Sequence, residues 1–171
     1  MTAYSIIATG LGYIGTAFLV LSFQCKKEKN LFWCQMASGL FFVLHYGMNG
    51  DYTGMAMDGT CFLRALSMAS GKKFFTGKKM MCVFLLLILV LGYVTWDGVF
   101  SLFPTIALFF STVFRFMGDG EKISKCQIFC TSLAWLVFTG KVGSVPGIIC
   151  ESLDMGSVIV YALRRKIKRK Q

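Results

Sequence analysis

The stretch CVFLLLILVLGYV at residues 82–94 decides how the chain folds. It holds no charge, and with its flanks it fills residues 80–96, about the length that crosses a bilayer core. Working outward, apolar runs at 4–24, 31–48 and 52–70 precede it, and runs at 99–117, 123–139 and 144–163 follow it, each bounded by a polar or glycine-containing break. Three runs therefore stand on either side of one. An odd crossing between two triplets makes both triplets enter the membrane in the same direction. None of the runs alternates apolar with polar residues as barrel strands do, so the reading is helical. The expected fold is an all-α integral membrane protein of seven transmembrane helices in a 3+1+3 arrangement. It forms one polytopic domain: unit one at 4–71, a connecting helix at 79–97, unit two at 99–164 and a basic tail at 164–171.

Composition leads to the same class. Of 171 residues, 56% are hydrophobic and 15% charged, against roughly 25% charged in an ordinary soluble domain, and mean hydropathy is +0.65. Two prolines, 18 glycines without a triplet period and 17 phenylalanines exclude disorder and collagen. The formal charge of +10 is explained by orientation, because cytoplasmic loops retain Lys and Arg. Lys26, Lys27 and Lys29, then Lys72, Lys73, Lys78 and Lys79, then Arg115, Lys122 and Lys125 fall on one face of a seven-span chain, as do the six basic residues of Arg164–Lys170. Only Lys141 lies on the other face, and Arg64 lies within a span. The N-terminus is thus expected outside, with no basic residue before the first run, and the C-terminus in the cytoplasm.

A shift of 93 lays Glu28-Lys29 on Glu121-Lys122, Gly50 on Gly143, Gly54 on Gly147 and Asp58 on Glu151. A one-residue slip aligns Cys34-Gln35 with Cys126-Gln127. These matches occur in order and superpose the first three spans on the last three, which reads as a parallel internal repeat. The 3+1+3 arrangement resembles that of the SWEET/MtN3 and PQ-loop transporter superfamily. More closely, the opening MTAY, the stretch SGLFFVLHYGMNGDYTG followed by Arg64, and the segment GSVPGIICES resemble the YgjV family of bacterial inner-membrane proteins over nearly the whole chain. His45, Arg64 and Glu151 stand at positions that match that family, and the resemblance implies an inner-membrane location and a transporter-like fold. Neither unit carries a Pro-Gln dipeptide, and only Pro104 and Pro146 occur, so the resemblance implies the fold rather than a sugar as cargo.

Ionisable groups inside spans cost at least about 2.5–3.5 kcal/mol near the bilayer centre, so each needs a reason. They are His45, Asp58, Arg64, Glu151 and Asp154. In the expected topology Asp58 and Glu151 share a depth, Asp154 lies one turn deeper, and Arg64 lies about 9 Å beyond Asp58. Together with His45 they converge in the outer half of the membrane. The functional reading is a polar cavity between the two units, with Asp58 and Glu151 facing each other and one carboxylate able to carry a proton or bind a cationic or hydroxylated solute. Asn49, Tyr46 and Gln35 are candidates either to line a pore or to be satisfied at a helix interface. The alternative is that the carboxylates pair with Arg64 and His45 and only fix helix packing. Asp58 and Arg64 are six residues apart and lie on different faces of their helix, so the expected ion-pair partner of Arg64 is Asp154.

The remaining features point to packing and location. Seven cysteines within spans or at their inner ends suit small buried side chains better than disulfides. Trp33, Trp96 and Trp135 suit interfacial anchoring or core packing. No phosphate loop, Ser-His-Asp arrangement, nucleotide fingerprint or metal cluster occurs, so neither an enzyme nor a cofactor is expected. The absence of an interior lysine in the seventh span excludes a retinal-type receptor. The expected function is a small-solute transporter or facilitator of the bacterial inner membrane, working by alternating access of two triple-helix units. The alternative is a non-transporting receptor or scaffold. The lipid bilayer and a small-molecule solute are the expected partners, homo-oligomers are admitted, and nucleic acid is not expected.

Overall fold

The computed structural model describes residues 3–25, 28–117 and 131–168, and their regular structure is helical. The helices are α1 (Ala3–Gln24), α2 (Glu28–Asn49), α3 (Tyr52–Ala69), a single turn α4 (Lys73–Thr76), α5 (Lys78–Val94), α6 (Leu102–Met117), α7 (Leu133–Val142) and α8 (Val145–Lys168). A 3-10 turn at Val99–Ser101 leads into α6. Three described segments, Ala3–Ser22, Asn30–Asn49 and Val99–Met117, are long and apolar enough to cross a membrane by length and composition. The 82–94 stretch lies in α5, whose 17 residues span about 26 Å, slightly less than a typical hydrocarbon core of about 30 Å.

The distribution of side chains is inverted relative to a soluble protein. Ile6, Leu86, Tyr93 and Val94 are exposed, whereas Ser22, Thr60, Thr112 and Thr139 are buried. Lipid solvates the outward chains, and small hydroxyl residues let the helices approach and hydrogen-bond one another.

Two turns share one geometry. Gly50 (φ 80°) ends α2 and Gly143 (φ 70°) ends α7, a conformation that costs a residue with a side chain more than it costs glycine. The Asp51 N–H donates to Tyr46 O at 2.9 Å and the Ser144 N–H to Thr139 O at 3.0 Å. The following helices then open identically, with Met55 N–H on Asp51 O and Ile148 N–H on Ser144 O, both at 3.0 Å.

In sequence order α1 packs on α2 and α2 on α3, and likewise α6 packs on α7 and α7 on α8. The triplets meet twice, α3 against α6 and α1 against α8, so six helices close into a ring. Helix α5 stands outside it, against α3 and α6. Specific bonds fix these seams. The Thr16 hydroxyl donates to Pro146 O at 3.2 Å between α1 and α8. The Thr53 hydroxyl donates to Thr95 O and meets Ser101 Oγ at 3.1 Å where α3 meets the start of α6.

Several boundaries differ from the sequence expectation, among them the last helix, which runs to Lys168 into the expected basic tail. The sixth helix continues past Thr139 to Val142, because Gly143 rather than Gly140 adopts the left-handed conformation that stops it. The turn α4 was not expected, and the Ser67 hydroxyl, donating to Phe75 O at 2.8 Å, holds it against α3. The matches at Glu121-Lys122 and Cys126-Gln127, the basic residues Lys26, Lys27, Lys122 and Lys125, Cys130, residues 123–130 of the expected sixth span, and residues 169–171 of the tail lie outside the described residues.

Candidate functional site

All six ring helices contribute to a central cavity of about 130 Å³. Helix α3 places Asp58, Cys61 and Arg64 on its wall, which follows from their spacing of three residues. Helix α8 adds Glu151 and Asp154, α6 adds Ser111 and Arg115, and α2 and α7 add Tyr46 and Trp135. Asp58 and Asp154 are close enough for their charges to act on Glu151.

The hydrogen bonds show which groups are already engaged. Arg64 is buried and donates to Thr112 Oγ1 at 2.7 Å and Ser111 Oγ at 3.4 Å, joining α3 to α6. The Ser132 hydroxyl donates to Asp154 Oδ2 at 3.3 Å. By contrast Glu151 Oε2, Arg115 Nε and Thr131 Oγ1 are buried without a hydrogen-bond partner among the described residues, and all three residues line the cavity.

The helix directions order these groups along the ring axis. Helices α3, α6 and α8 all begin at the end held by the Thr53–Ser101 and His45–Ser144 contacts. Tyr46 and Gly147 border the cavity there. Asp58 and Glu151 come next, then Asp154 and Arg64, and finally Arg115 with Phe32 and Met68. The cavity therefore extends from the level of Tyr46 and Gly147 toward the end where α1 stops and α2 begins. The lining continues two to three turns past Asp58, because α3 and α6 carry their polar residues on one face to their far ends.

His45 and Asn49 are not among the residues lining the cavity. His45 is buried at the near end, where Nδ1–H donates to Ala8 O at 2.7 Å and Nε2 meets Ser144 Oγ at 2.8 Å. It ties α1, α2 and the start of α8 together. Asn49 is exposed and donates to the His45 carbonyl at 2.8 Å. Arg115 is the residue that sequence reasoning missed as a site member. Counted only as a topology marker, it stands at 115 in register with Leu108 and Ser111, and that i, i+3, i+7 spacing was the available signal. Trp33 and Trp96 are exposed, while Trp135 is buried against Tyr46 with ring centroids 6.4 Å apart.

A cleft of about 660 Å³ lies at the near end, lined by Asp51, Trp96, Asp97, Phe100, Phe138 and Lys141 among others. Lys141 Nζ stands 5.5 Å from the Phe100 ring centroid, a cation–π distance. Burial pushes the Asp51 carboxyl above its ordinary range. His45 opposes that shift, and the negative Asp97 adds to it. Only a thin aromatic partition separates cleft from cavity. Phe138 lines the cleft and packs on Tyr46 at 6.1 Å between centroids, and Tyr46 lines the cavity.

Among the described residues no group of three His, Cys, Asp or Glu side chains could hold a metal ion. Cys25, Cys34, Cys61, Cys82 and Cys150 are free thiols, with Cys25 and Cys34 sulfurs 3.8 Å apart.

Apolar helices that turn their large side chains outward and gather ionisable groups around a central cavity define an integral membrane protein. The chain belongs to the Imp-YgjV family, described as bacterial inner membrane protein, which matches residues 6–170. It is a bacterial inner-membrane protein. No curated protein and no solved structure matches it.

Proposed function

We propose that the chain spans the membrane seven times in the 3+1+3 arrangement, N-terminus outside, and carries a small solute across by alternating access of two triple-helix units. The observation that carries the reading is the pair of spaces divided by the Tyr46–Phe138 partition, with ionisable groups lining both. A thin barrier between a cleft at one end and a charged cavity reaching toward the other is what alternating access requires.

The parallel repeat in this proposal is supported by the matched turns at Gly50 and Gly143, which are 93 residues apart, as are Asp58 and Glu151. The same relation links this chain to the SWEET and PQ-loop arrangement. Rocking of one unit on the other would open the α1–α8 and α3–α6 seams, which are bridged by hydrogen bonds from Thr16, Thr53 and Arg64, and would shift the His45–Ser144 contact and the packing of Tyr46 on Trp135 and Phe138.

The alternative, a receptor or scaffold whose charges serve packing, is favoured by the bonds from Arg64 to Ser111 and Thr112. Uptake into proteoliposomes separates the two. A transporter should load a radiolabelled small-metabolite panel into vesicles, and Asp58→Asn and Glu151→Gln should each reduce that flux in folded protein. Ligand binding without flux rejects transport, and so does unchanged flux in the double variant.

A further inference from the structure

We infer that the central cavity takes a small zwitterion, its ammonium lodged between Asp58 and Glu151 under Tyr46, Trp135 and Phe42, and its carboxylate held at Arg115. The inference rests on the transport reading only for its biological use; the binding site stands on its own geometry.

Among the described residues the cavity wall holds a carboxyl oxygen, Glu151 Oε2, and a guanidinium N–H, Arg115 Nε, that are buried without a hydrogen-bond partner. A buried charge without a partner is costly, and the complement that serves both at once is a molecule with a positive group at one end and a negative group at the other. The Thr131 hydroxyl, also unpartnered and on the same wall, offers a third contact. A neutral polyol could hydrogen-bond to these atoms, but it would leave both charges uncompensated in a low-dielectric site.

The order of groups along the axis fixes which end goes where. Asp58 and Glu151 stand nearest Tyr46, and Phe42, Tyr46 and Trp135 line the same part of the cavity with neighbouring ring centroids 6.0 and 6.4 Å apart. Aromatic faces beside carboxylates attract an organic cation. Arg115 lies about one turn beyond Ser111 and Thr112, the level reached by the Arg64 guanidinium. Helical side chains lean toward the helix N-terminus, so the Arg115 guanidinium reaches back toward the acids, for a charge separation on the order of 5–10 Å. That separation suits an amino acid whose two charges are several bonds apart better than an α-amino acid.

Binding by the purified full-length protein in nanodiscs, read by calorimetry, tests this with glycine, γ-aminobutyrate, 6-aminohexanoate, n-butylamine, butyrate and glycerol as probes. γ-Aminobutyrate or 6-aminohexanoate should bind about tenfold or more tightly than butylamine and butyrate. Glu151→Gln should remove the advantage over butyrate, and Arg115→Gln the advantage over butylamine. If either variant fails to fold, Glu151→Asp and Arg115→Lys should retain the preference at reduced affinity. Equal binding of glycerol, equal binding of butylamine, or no binding by any probe overturns the inference. Zwitterion binding without vesicle uptake sinks transport and leaves this site standing, whereas uptake of an uncharged solute with no zwitterion binding does the reverse.

Discussion

Tyr46 is held between two glycines, and adding one methyl group to either tests the partition it forms. A Cβ at Gly54 would sit 2.8 Å from Tyr46 Cγ, 2.9 Å from Cδ1 and 3.1 Å from Phe138 Cε1. At Gly147 it would sit 2.7 Å from Thr139 Cγ2, 2.8 Å from Tyr46 Oη and 2.9 Å from Ser144 Oγ. Ordinary contact begins near 3.4 Å, so each methyl requires a shift of several tenths of an ångström in a ring that is 1% exposed. Overpacking of this kind costs about 1–3 kcal/mol, and the better helix propensity of alanine returns about 1 kcal/mol, for a net loss of about 0–2 kcal/mol. For a chain of this size that lowers Tm by up to about 8 °C. Gly10→Ala and Gly140→Ala serve as controls, since nothing lies within 4 Å of either added Cβ. Thermal unfolding in detergent, followed by tryptophan fluorescence, reports the change directly because Trp135 packs on Tyr46. The Gly147→Ala defect should be partly relieved by Tyr46→Phe, which removes the clashing hydroxyl, while the Gly54→Ala defect, against ring carbons, should not. If Gly54→Ala and Gly147→Ala melt with the controls, Tyr46 is not clamped and the partition argument fails.

Further outcomes are expected elsewhere in the bundle. Thr112→Val should cost about 1–3 kcal/mol by stranding the 2.7 Å bond from Arg64, and Ser111→Ala, at 3.4 Å, should cost less, as equilibrium unfolding would measure. His45→Ala leaves Ala8 O without its 2.7 Å donor and should lower stability by about 1–3 kcal/mol in the same assay. For Asp51, whose raised folded pKa favours the protonated form, the favourable contribution is complete below the ordinary carboxylate pKa of about 4 and is lost as pH rises through the shifted value. Asp51→Asn should therefore match the wild type in acid and gain relative stability toward neutral pH, because the Asp51 side chain makes no cap bond that the change would remove. A Tm difference independent of pH would refute this.

The helices and their turns were largely legible in the sequence, since apolar length, Gly50 and Gly143 are local signals read without tertiary context. The polar members of the site were legible for one reason: a charge in an apolar run is conspicuous, and Asp58, Arg64, Glu151 and Asp154 do line one cavity. His45 was conspicuous in the same way but faces Ala8 and Ser144, because its position on α2 relative to α1 and α8 depends on how the helices rotate about their axes. Sequence carries position along a helix well and rotation about its axis poorly. Arg115 shows the converse, since a charge at a span's end reads as a loop charge until packing turns it inward. The ring order, with α1 on α8 and α3 on α6, rests on contacts between residues far apart in the chain and had no sequence signature.

The seam between α1 and α8 has a consequence for how the protein is made. The Thr16 hydroxyl finds its acceptor, Pro146 O, 130 residues later in the chain. At a synthesis rate of about 5–20 residues per second, α1 enters the membrane roughly 7–26 seconds before that partner exists. Once made, Arg64 waits a further 48 residues for Thr112, and Asp58 waits 93 residues for Glu151 on the opposite wall of the cavity. Early helices must therefore be sheltered at the insertion machinery, or held by the α1–α2–α3 packing alone, until the last helix arrives. Truncations that lack α8 should be recognised by membrane quality control as unfinished proteins rather than accumulate as stable fragments.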